Sequence, residues 1–194
     1  GRKATYEEQK LLFKYVGWGG IKEIGFNPDS DGGWSNSNRH LKSKVQEAID
    51  AIRALDEENF KENFDSIKSS VLNAHYTSIP IIRGIWDVLR ISGFTGGVVT
   101  EPSAGIGNFI GAMPIDFMQN SAIGAIELDK VTGQILKHLY PSVTSKIQGY
   151  EKTIIAPGSI DLSISNIPFG TYAIIDDNFT KSRDKALINS LSKI

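Results

Sequence analysis

Hydrophobic residues recur every three or four positions through much of the first third of the chain, a spacing typical of amphipathic helices. It predicts a helix over 41–55 and a shorter one over 57–69. Residues 27–38 are instead rich in Gly, Ser, Asp and Asn, which predicts a surface loop. Residues 1–71 are therefore predicted to form an N-terminal helical accessory segment.

A helix-start signal lies near the beginning of the chain. Thr5-Tyr6-Glu7-Glu8 has the pattern of a capping box and predicts a helix that begins there. The apolar face of this helix would carry Leu11, Leu12 and Tyr15. Gly17-Trp18-Gly19-Gly20 is expected to end it, because glycines interrupt helices.

From about residue 72 the pattern changes to short apolar runs that alternate with helical segments. A helix opened by Ser78 and Pro80 is predicted first. Its apolar positions are Ile81, Ile82, Ile85, Trp86, Val88 and Leu89. Four strands are predicted after it, at 98–100, 122–126, 144–148 and 160–165, with helices at 109–113 and 129–140. This alternation predicts an α/β fold, in which 72–194 form a partial Rossmann-like domain with about four parallel strands.

Composition narrows the class of protein. Hydrophobic residues make up 40% of the 194 positions and charged residues 22%, as in ordinary globular domains. The absence of cysteine excludes disulfides and thiolate metal sites, and the three histidines are scattered, so no metal site is expected. No apolar run approaches the roughly 18 residues of a membrane span, and no signal peptide is recognisable, so a cytoplasmic protein is expected. The net charge of -1 provides no overall attraction to nucleic acid.

A glycine-containing turn follows the first predicted strand. Glu101-Pro102-Ser103-Ala104-Gly105-Ile106-Gly107 would lie at the carboxyl edge of the sheet, where ligands bind in this fold class. Gly105 and Gly107 allow the backbone to come close to a ligand. Position 110 is Ile, so the final glycine of a dinucleotide fingerprint is missing, and nicotinamide and flavin cofactors are disfavoured. A tight strand-to-helix turn without a ligand is the alternative.

Polar residues also follow the second and third predicted strands. Glu127 comes 20 residues after Gly107, where an acid can accept hydrogen bonds from both ribose hydroxyls of a nucleoside-containing cofactor. A lone acid at such a position is more often a helix cap, a role for which Asp129 is a candidate. Gln148-Gly149-Tyr150 ends the third strand and would suit contacts to an adenine ring.

Asn166-Ile167-Pro168-Phe169 follows the fourth predicted strand. The side-chain carbonyl of Asn166 and the backbone carbonyl of Ile167 can both accept hydrogen bonds from an exocyclic amine. Pro168 fixes the turn, and the ring of Phe169 provides a stacking surface. These residues are therefore candidates for holding a planar group that carries an NH2, although a strand-ending turn is the alternative.

The glycine turn, Glu127 and Asn166-Ile167-Pro168-Phe169 together resemble the S-adenosyl-L-methionine-dependent DNA adenine-N6 methyltransferases. Ala74-His75-Tyr76-Thr77 looks like the additional cofactor motif of that family. Tyr15-Val16-Gly17-Trp18-Gly19-Gly20 is similar to a leader of the large phage- and plasmid-borne members, which often carry a helicase-like region. The family's commoner motif is Asn-Pro-Pro-Tyr, but position 167 acts through its backbone and position 169 through its ring face.

The resemblance implies a Rossmann-like class I methyltransferase sheet and a role for each matching residue. Asn166 and Ile167 would accept the two hydrogens of the adenine N6, and Phe169 would stack on the flipped base. Glu127 would bind the ribose and Leu128 would pack on the adenine of the cofactor. The remaining cofactor contacts, mostly to the methionine part, would come from Tyr76, Thr77, Glu101, Pro102, Ala104, Gly105, Gly107, Gln148 and Gly149.

The family also has more strands than the four predicted here, and the chain begins at Gly1 and stops at 194 within a helical pattern. We therefore expect a piece of a longer DNA-modifying protein of a restriction-modification system or mobile element. On its own it would bind the cofactor weakly, transfer little or no methyl group, and tend to self-associate through an exposed sheet edge.

Three other functions remain open. The same grip suits RNA or a protein glutamine as the substrate. A non-catalytic cofactor- or DNA-binding module is the second alternative. A protein-interaction surface around Trp18 and Trp34 is the third, although packing in a core is the more ordinary role of such tryptophans.

Overall fold

The N-terminal third is helical, as expected. A computed structural model describes residues 2–19, 21, 34–71 and 76–167. Helices α1 (Tyr6–Leu12), α2 (Lys42–Leu55) and α3 (Phe60–Ser70) lie in this region, and a short 3-10 helix, Arg39–Leu41, precedes α2. Most of the predicted 27–38 loop lies outside the described residues.

The start of α1 is confirmed, but its predicted apolar face is wrong. Thr5 Oγ1 accepts a hydrogen bond from the Glu8 backbone N–H, and the Glu8 carboxylate accepts one from the Thr5 N–H at 2.8 Å. The helix then ends at Leu12, and none of its residues is fully buried. Leu11 is 68% exposed, whereas Tyr15, beyond the helix, turns inward. Because α1 ends before Tyr15, the side chains of Leu11, Leu12 and Tyr15 do not share one helix face.

The α/β part has the predicted alternation of helices and parallel strands. Its helices are α4 (Ile79–Ile91), α5 (Asn108–Gly111), α6 (Ile115–Gln119) and α7 (Lys130–Leu139), and its strands are β1 (Gly97–Glu101), β2 (Ser121–Glu127), β3 (Thr144–Ile147) and β4 (Leu162–Ser163). A second 3-10 helix spans Tyr150–Lys152. The α6 helix is an addition to the predicted elements.

The four strands form one parallel sheet in the order β3-β2-β1-β4. The predicted α/β class and the partial Rossmann-like sheet are thus confirmed. The chain adds β2 and β3 on one side of β1 and then places β4 on the other, so a topological switch point lies between β1 and β4. Ligands of open α/β sheets bind in the crevice at the carboxyl ends of such strands.

β4 is shorter than the predicted 160–165 strand. Only Leu162 and Ser163 pair with β1 as a regular strand. Just before them, the Asp161 carboxylate accepts the Val98 backbone N–H at 2.7 Å. The Val98 N–H thus bonds to a side chain and not to a backbone carbonyl of the neighbouring strand. Regular strand pairing starts only after Asp161.

The main core packs α4, α5 and α6 on one face of the sheet. Its buried members are Ile82, Trp86, Val99, Phe109, Met113, Phe117 and Ile164. The Trp86 indole N–H donates to the Phe109 backbone carbonyl at 3.0 Å, so its polar group is satisfied. Not all of the apolar positions predicted for α4 are buried, since Ile81, Ile85 and Val88 face solvent.

The N-terminal helices have a core of their own and lie against α7. Its buried members are Trp34, Val45, Ile49, Ile67 and Val71, and Val131 of α7 packs against them together with Trp18. The expectation that Trp18 and Trp34 pack in a core is confirmed. Because Trp34 is buried, these tryptophans do not form an exposed interaction surface.

Glycines allow Tyr140, at the end of α7, to approach the turn after β1. Gly107 has φ 84, in the left-handed region, and a Cβ there would lie 2.6 Å from Tyr140 Cε2 and 2.7 Å from Leu136 Cδ1. Gly111, in α5, would likewise place a Cβ against the Tyr140 hydroxyl. Larger residues at either position would force the turn and α7 apart.

We expect Gly107→Ala to lower the free energy of unfolding by roughly 2–4 kcal/mol, because it adds backbone strain to a steric clash. Gly84→Ala is the matched control, since Gly84 lies within α4 and a Cβ there meets nothing within 4 Å. That variant should be more stable than the wild type by about 0.5–1 kcal/mol. Urea denaturation measures both changes, and equal effects of the two substitutions would contradict the assigned packing.

Candidate functional site

The turn after β1 connects the carboxyl ends of three strands. The Ala104 N–H donates to the Ile126 carbonyl of β2 at 2.9 Å. On the other side, Ser165 Oγ donates to the Ser103 carbonyl at 3.2 Å, which ties the segment after β4 to the same turn. Pro102 is half-buried within this turn and Ala104 is buried. The predicted glycine turn, the end of β2 and the segment after β4 therefore meet at one edge of the sheet.

Glu127 is at the centre of this edge. Its Oε2 accepts the Gly105 N–H at 2.7 Å, and its Oε1 accepts the Asp129 N–H at 2.8 Å. Burial raises the pKa of the Glu127 carboxyl, whereas the hydrogen bonds from backbone N–H groups lower it. Glu127 therefore fixes the turn. With the Leu128 backbone as a further donor to the carboxylate, about one of its roughly four acceptor positions remains for another donor.

Glu101 lies deeper, at the end of β1. Its side chain is 2% exposed, and the backbone of Phe109 and Ile110 in α5 hydrogen-bonds to its carboxyl group. Glu101 Oε2 has no hydrogen-bond partner among the described residues. Burial raises the pKa of the Glu101 carboxyl well above its ordinary value, and the nearby charge of Glu127 adds to this rise.

Tyr76 covers the glycine turn from the N-terminal side. Its Cε1 lies 3.0 Å from the position that a Cβ of Gly105 would occupy, and Gly105 has φ 56. Burial raises the pKa of the Tyr76 phenol, and the nearby Glu127 carboxylate adds to this rise. Thr77 follows and is half-buried. Within the predicted N-terminal motif, Tyr76 therefore lies against the turn and Thr77 is next to it, whereas Ala74 and His75 lie outside the described residues.

The residues expected near an adenine ring lie beyond Glu127. Leu128 is 72% exposed, so its side chain is accessible. The Gln148 N–H donates to the Glu127 carbonyl at 2.9 Å, and Gln148 Nε2 donates to Thr153 Oγ1 at 2.9 Å. Gly149 is buried against the Glu151 carboxylate.

Asn166 and Ile167 are the two residues of the predicted amine-gripping motif that the structure describes. Asn166 is half-buried and Ile167 is exposed, and both directly follow Ser165, which contacts the turn. Pro168 and Phe169 lie outside the described residues. Asn166 and Ile167 are therefore at the same sheet edge as Glu127.

Four residues of this region are absent from the predicted set. Tyr15 and Thr132 lie near Tyr76, while Tyr140 lies against Gly107 and Gly111. The signal for Gly111 is its position one residue after the place where a dinucleotide fingerprint has its last glycine. No local pattern marks Tyr15 for this site, because its partners are distant in the sequence.

Comparison with known proteins finds a similarity to a phage protein over half of the chain. No protein family matches the chain. The chain is 31% identical over 101 residues to Defense against restriction protein B of Escherichia phage P1. The match covers 51% of this chain and 4% of the phage protein, so the chain spans a small part of that protein's length. The similarity therefore concerns a segment of the phage protein.

The described residues contain neither a candidate membrane span nor a candidate metal site. Across the described parts of the chain, no helix is both long and apolar enough to cross a membrane. Within those same ranges, His, Asp and Glu side chains do not gather in groups of three that would hold a metal ion.

We expect Glu101→Gln to gain stability over the wild type as the pH rises. The native state holds the Glu101 proton more tightly than the unfolded chain does, so above the ordinary carboxyl range unfolding releases a proton and stability falls with pH. Glutamine does not titrate. The variant should therefore be more stable by about 1 kcal/mol or more near pH ~7.

Near pH ~4 this advantage should shrink, because both states of the wild type are then protonated. Glu47→Gln, on the exposed side of α2, is the matched control and should change little at either pH. Thermal denaturation across this pH range measures the difference. A pH-independent gap between Glu101→Gln and the wild type would contradict a strongly raised Glu101 pKa.

Proposed function

We propose that this chain carries the S-adenosyl-L-methionine site and the amine-gripping residues of an N6-adenine methyltransferase that acts on DNA. The main support is the Ser165–Ser103 hydrogen bond, because it brings the segment that contains Asn166 to the turn that contains Gly105. Glu127 contacts that same turn. A site for a nucleoside cofactor and a site for a planar amine are thereby adjacent.

The residues present suit the proposed cofactor. Glu101 Oε2 is a buried acceptor without a partner at the base of the turn, and an ammonium group is the kind of donor that it lacks. Tyr76 packs closely over Gly105, where a Cβ would lie 3.0 Å from Tyr76 Cε1, so the phenol adjoins the turn proposed to hold the cofactor. Glu127 keeps acceptor capacity for a ribose hydroxyl.

The proposed chemistry asks little of the protein beyond binding and orientation. The cofactor supplies an electrophilic methyl group on a sulfonium sulfur. The Asn166 side-chain carbonyl and the Ile167 backbone carbonyl accept the hydrogens of the amine, which favours a localised lone pair on N6. An amine that took up this methyl group would carry an extra positive charge, and it would then release one proton to water. Alignment of the two groups provides much of the acceleration.

DNA is the proposed substrate for two reasons. The motif around Asn166 resembles that of enzymes that act on adenine in DNA. The similar phage protein is named for defence against restriction, and modification of DNA is one way to provide such a defence. The net charge of -1 means that this part of the protein attracts DNA weakly. RNA and a glutamine-containing peptide are the alternative substrates, and the transfer assay below includes both.

We expect the chain to bind S-adenosyl-L-methionine and Glu127→Gln to weaken that binding at least tenfold. An amide offers one acceptor oxygen where the carboxylate offers two, and it loses the charge assistance. Isothermal titration calorimetry measures the dissociation constants, with Glu47→Gln as the matched control. No heat of binding from a folded wild-type chain at millimolar cofactor would overturn the proposed function.

Asn166→Ala should abolish the low methyl transfer expected of this chain and leave cofactor affinity within about twofold, because Asn166 is assigned to the amine and not to the cofactor. Labelled methyl transfer to duplex DNA, RNA and a glutamine peptide measures the first effect, and calorimetry the second. A well-folded Asn166→Ala variant that loses cofactor affinity would refute the assigned role.

A further inference from the structure

Helix α3 contributes a side chain to the first turn of α7, which begins just after Glu127. The Lys130 backbone N–H donates to Ser66 Oγ at 3.3 Å, and Ser66 Oγ donates to Asp129 Oδ2 at 2.5 Å. Asp129 is the N-cap of α7, because its Oδ1 accepts the Thr132 N–H at 2.6 Å. The capping role expected of Asp129 is thus confirmed, and a serine of the N-terminal segment completes the cap.

Two more hydrogen bonds connect this cap to the glycine turn. The Asp129 N–H donates to Glu127 Oε1 at 2.8 Å, and Glu127 Oε2 accepts the Gly105 N–H at 2.7 Å. A continuous series of contacts therefore runs from Ser66 through Asp129 and Glu127 to the turn. Ser66 and Asp129 are both half-buried, where a hydrogen bond is electrostatically stronger than in bulk water.

The other contacts at this junction of α3 and α7 do not lead to the site. Val131 packs against the apolar cluster that contains Ile67 of α3. Lys130 Nζ pairs with the Glu62 carboxylate, but the two side chains are 53% and 61% exposed, and exposed ion pairs contribute little. The contact between Ser66 and Asp129 differs from these two because it continues to Glu127.

Serine is not the residue that α3 itself favours at position 66. The position lies in the interior of α3, where alanine is the better helix former. The hydroxyl of Ser66 makes two hydrogen bonds to the start of another helix. The residue type therefore suits the contact between the helices better than it suits the helix in which it lies.

We propose that Ser66 is a positioning residue of the cofactor site, which holds Asp129 and thereby keeps the Glu127 carboxylate in the orientation that binds ribose. The inference rests on the proposed function. Ser66 acts through Asp129 and needs no contact with the cofactor. It makes α3 a part of the site, so docking of the N-terminal helices onto α7 and binding of the cofactor strengthen each other by the same factor.

The first test compares Ser66→Ala with Ser43→Ala, the same change at an exposed position of α2. We expect Ser66→Ala to weaken binding of S-adenosylhomocysteine, measured by calorimetry, roughly three- to tenfold, as for loss of one hydrogen bond. Ser43→Ala should bind as the wild type does. Because alanine favours the helix, unfolding of α3 would not explain a loss of affinity in Ser66→Ala.

Two further variants separate positioning from a purely structural role. Glu62→Gln removes the exposed pair with Lys130 at the same junction and should leave affinity within about twofold. A loss as large as that of Ser66→Ala would assign the effect to helix docking in general and overturn the role of Ser66. Ser66→Ala combined with Glu127→Gln should lose less affinity than the product of the two single losses, because both act through the Glu127 carboxylate.

Hydrogen exchange of the wild-type chain provides a measurement that needs no variant. Saturating S-adenosylhomocysteine should slow exchange of the backbone amides of α3. Unchanged exchange there, equal affinities of Ser66→Ala and the wild type, or fully multiplicative losses in the double variant would overturn this inference while leaving the proposed function intact. A folded wild-type chain that binds neither S-adenosylhomocysteine nor S-adenosyl-L-methionine would overturn both.

Discussion

The geometry of the sheet edge depends on the two hydrogen bonds that the Glu127 carboxylate accepts, from Gly105 N–H and Asp129 N–H. One holds the turn after β1, and the other holds the start of α7. Burying this carboxylate carries a desolvation cost, which the two backbone donors partly offset. Because the protein's own groups fix the turn, little conformational entropy remains to be lost when a ligand binds there. The same carboxylate that is assigned to ribose is therefore also structural.

Steric contacts explain why glycine is needed where it occurs. Gly107 and Gly111 accommodate Tyr140, whereas Gly105 accommodates Tyr76. The turn is thus enclosed between two tyrosines, one from each flanking segment. Burial raises the pKa of the Tyr140 phenol to about 12, and the Glu101 carboxylate contributes to that rise. Close packing against Tyr76 and Tyr140 therefore requires glycine at these positions, whether or not a ligand binds there.

Local patterns in the sequence predict the strands, the helices and the sheet edge, because apolar periodicity and turn residues act over a few positions. They place Glu101, Gly105, Glu127 and Asn166 at strand ends, and the sheet order then brings these ends together. Local patterns do not predict features that depend on contacts between residues far apart in the sequence. β4 is short because Asp161 bonds to Val98, and Ile81 faces solvent because α4 contacts the core on one side only. Gln9 Nε2 donates to the His138 carbonyl across more than half of the chain, and no short-range signal encodes that contact.

The charges at this edge restrict which ligands suit it. Glu101 is buried and Glu127 is half-buried, and the charge of Glu127 raises the cost of ionising Glu101. The ion pairs that the described residues form involve neither of them. An anionic ligand would add to this repulsion, while a ligand with a positive group would relieve it. Phosphate-rich cofactors depend on positive charge or on a helix N-terminus, and here the backbone N–H groups of Phe109 and Ile110 in α5 are already bonded to Glu101. The two carboxyl groups therefore make a positively charged group a better electrostatic match to this edge of the sheet than an anionic one.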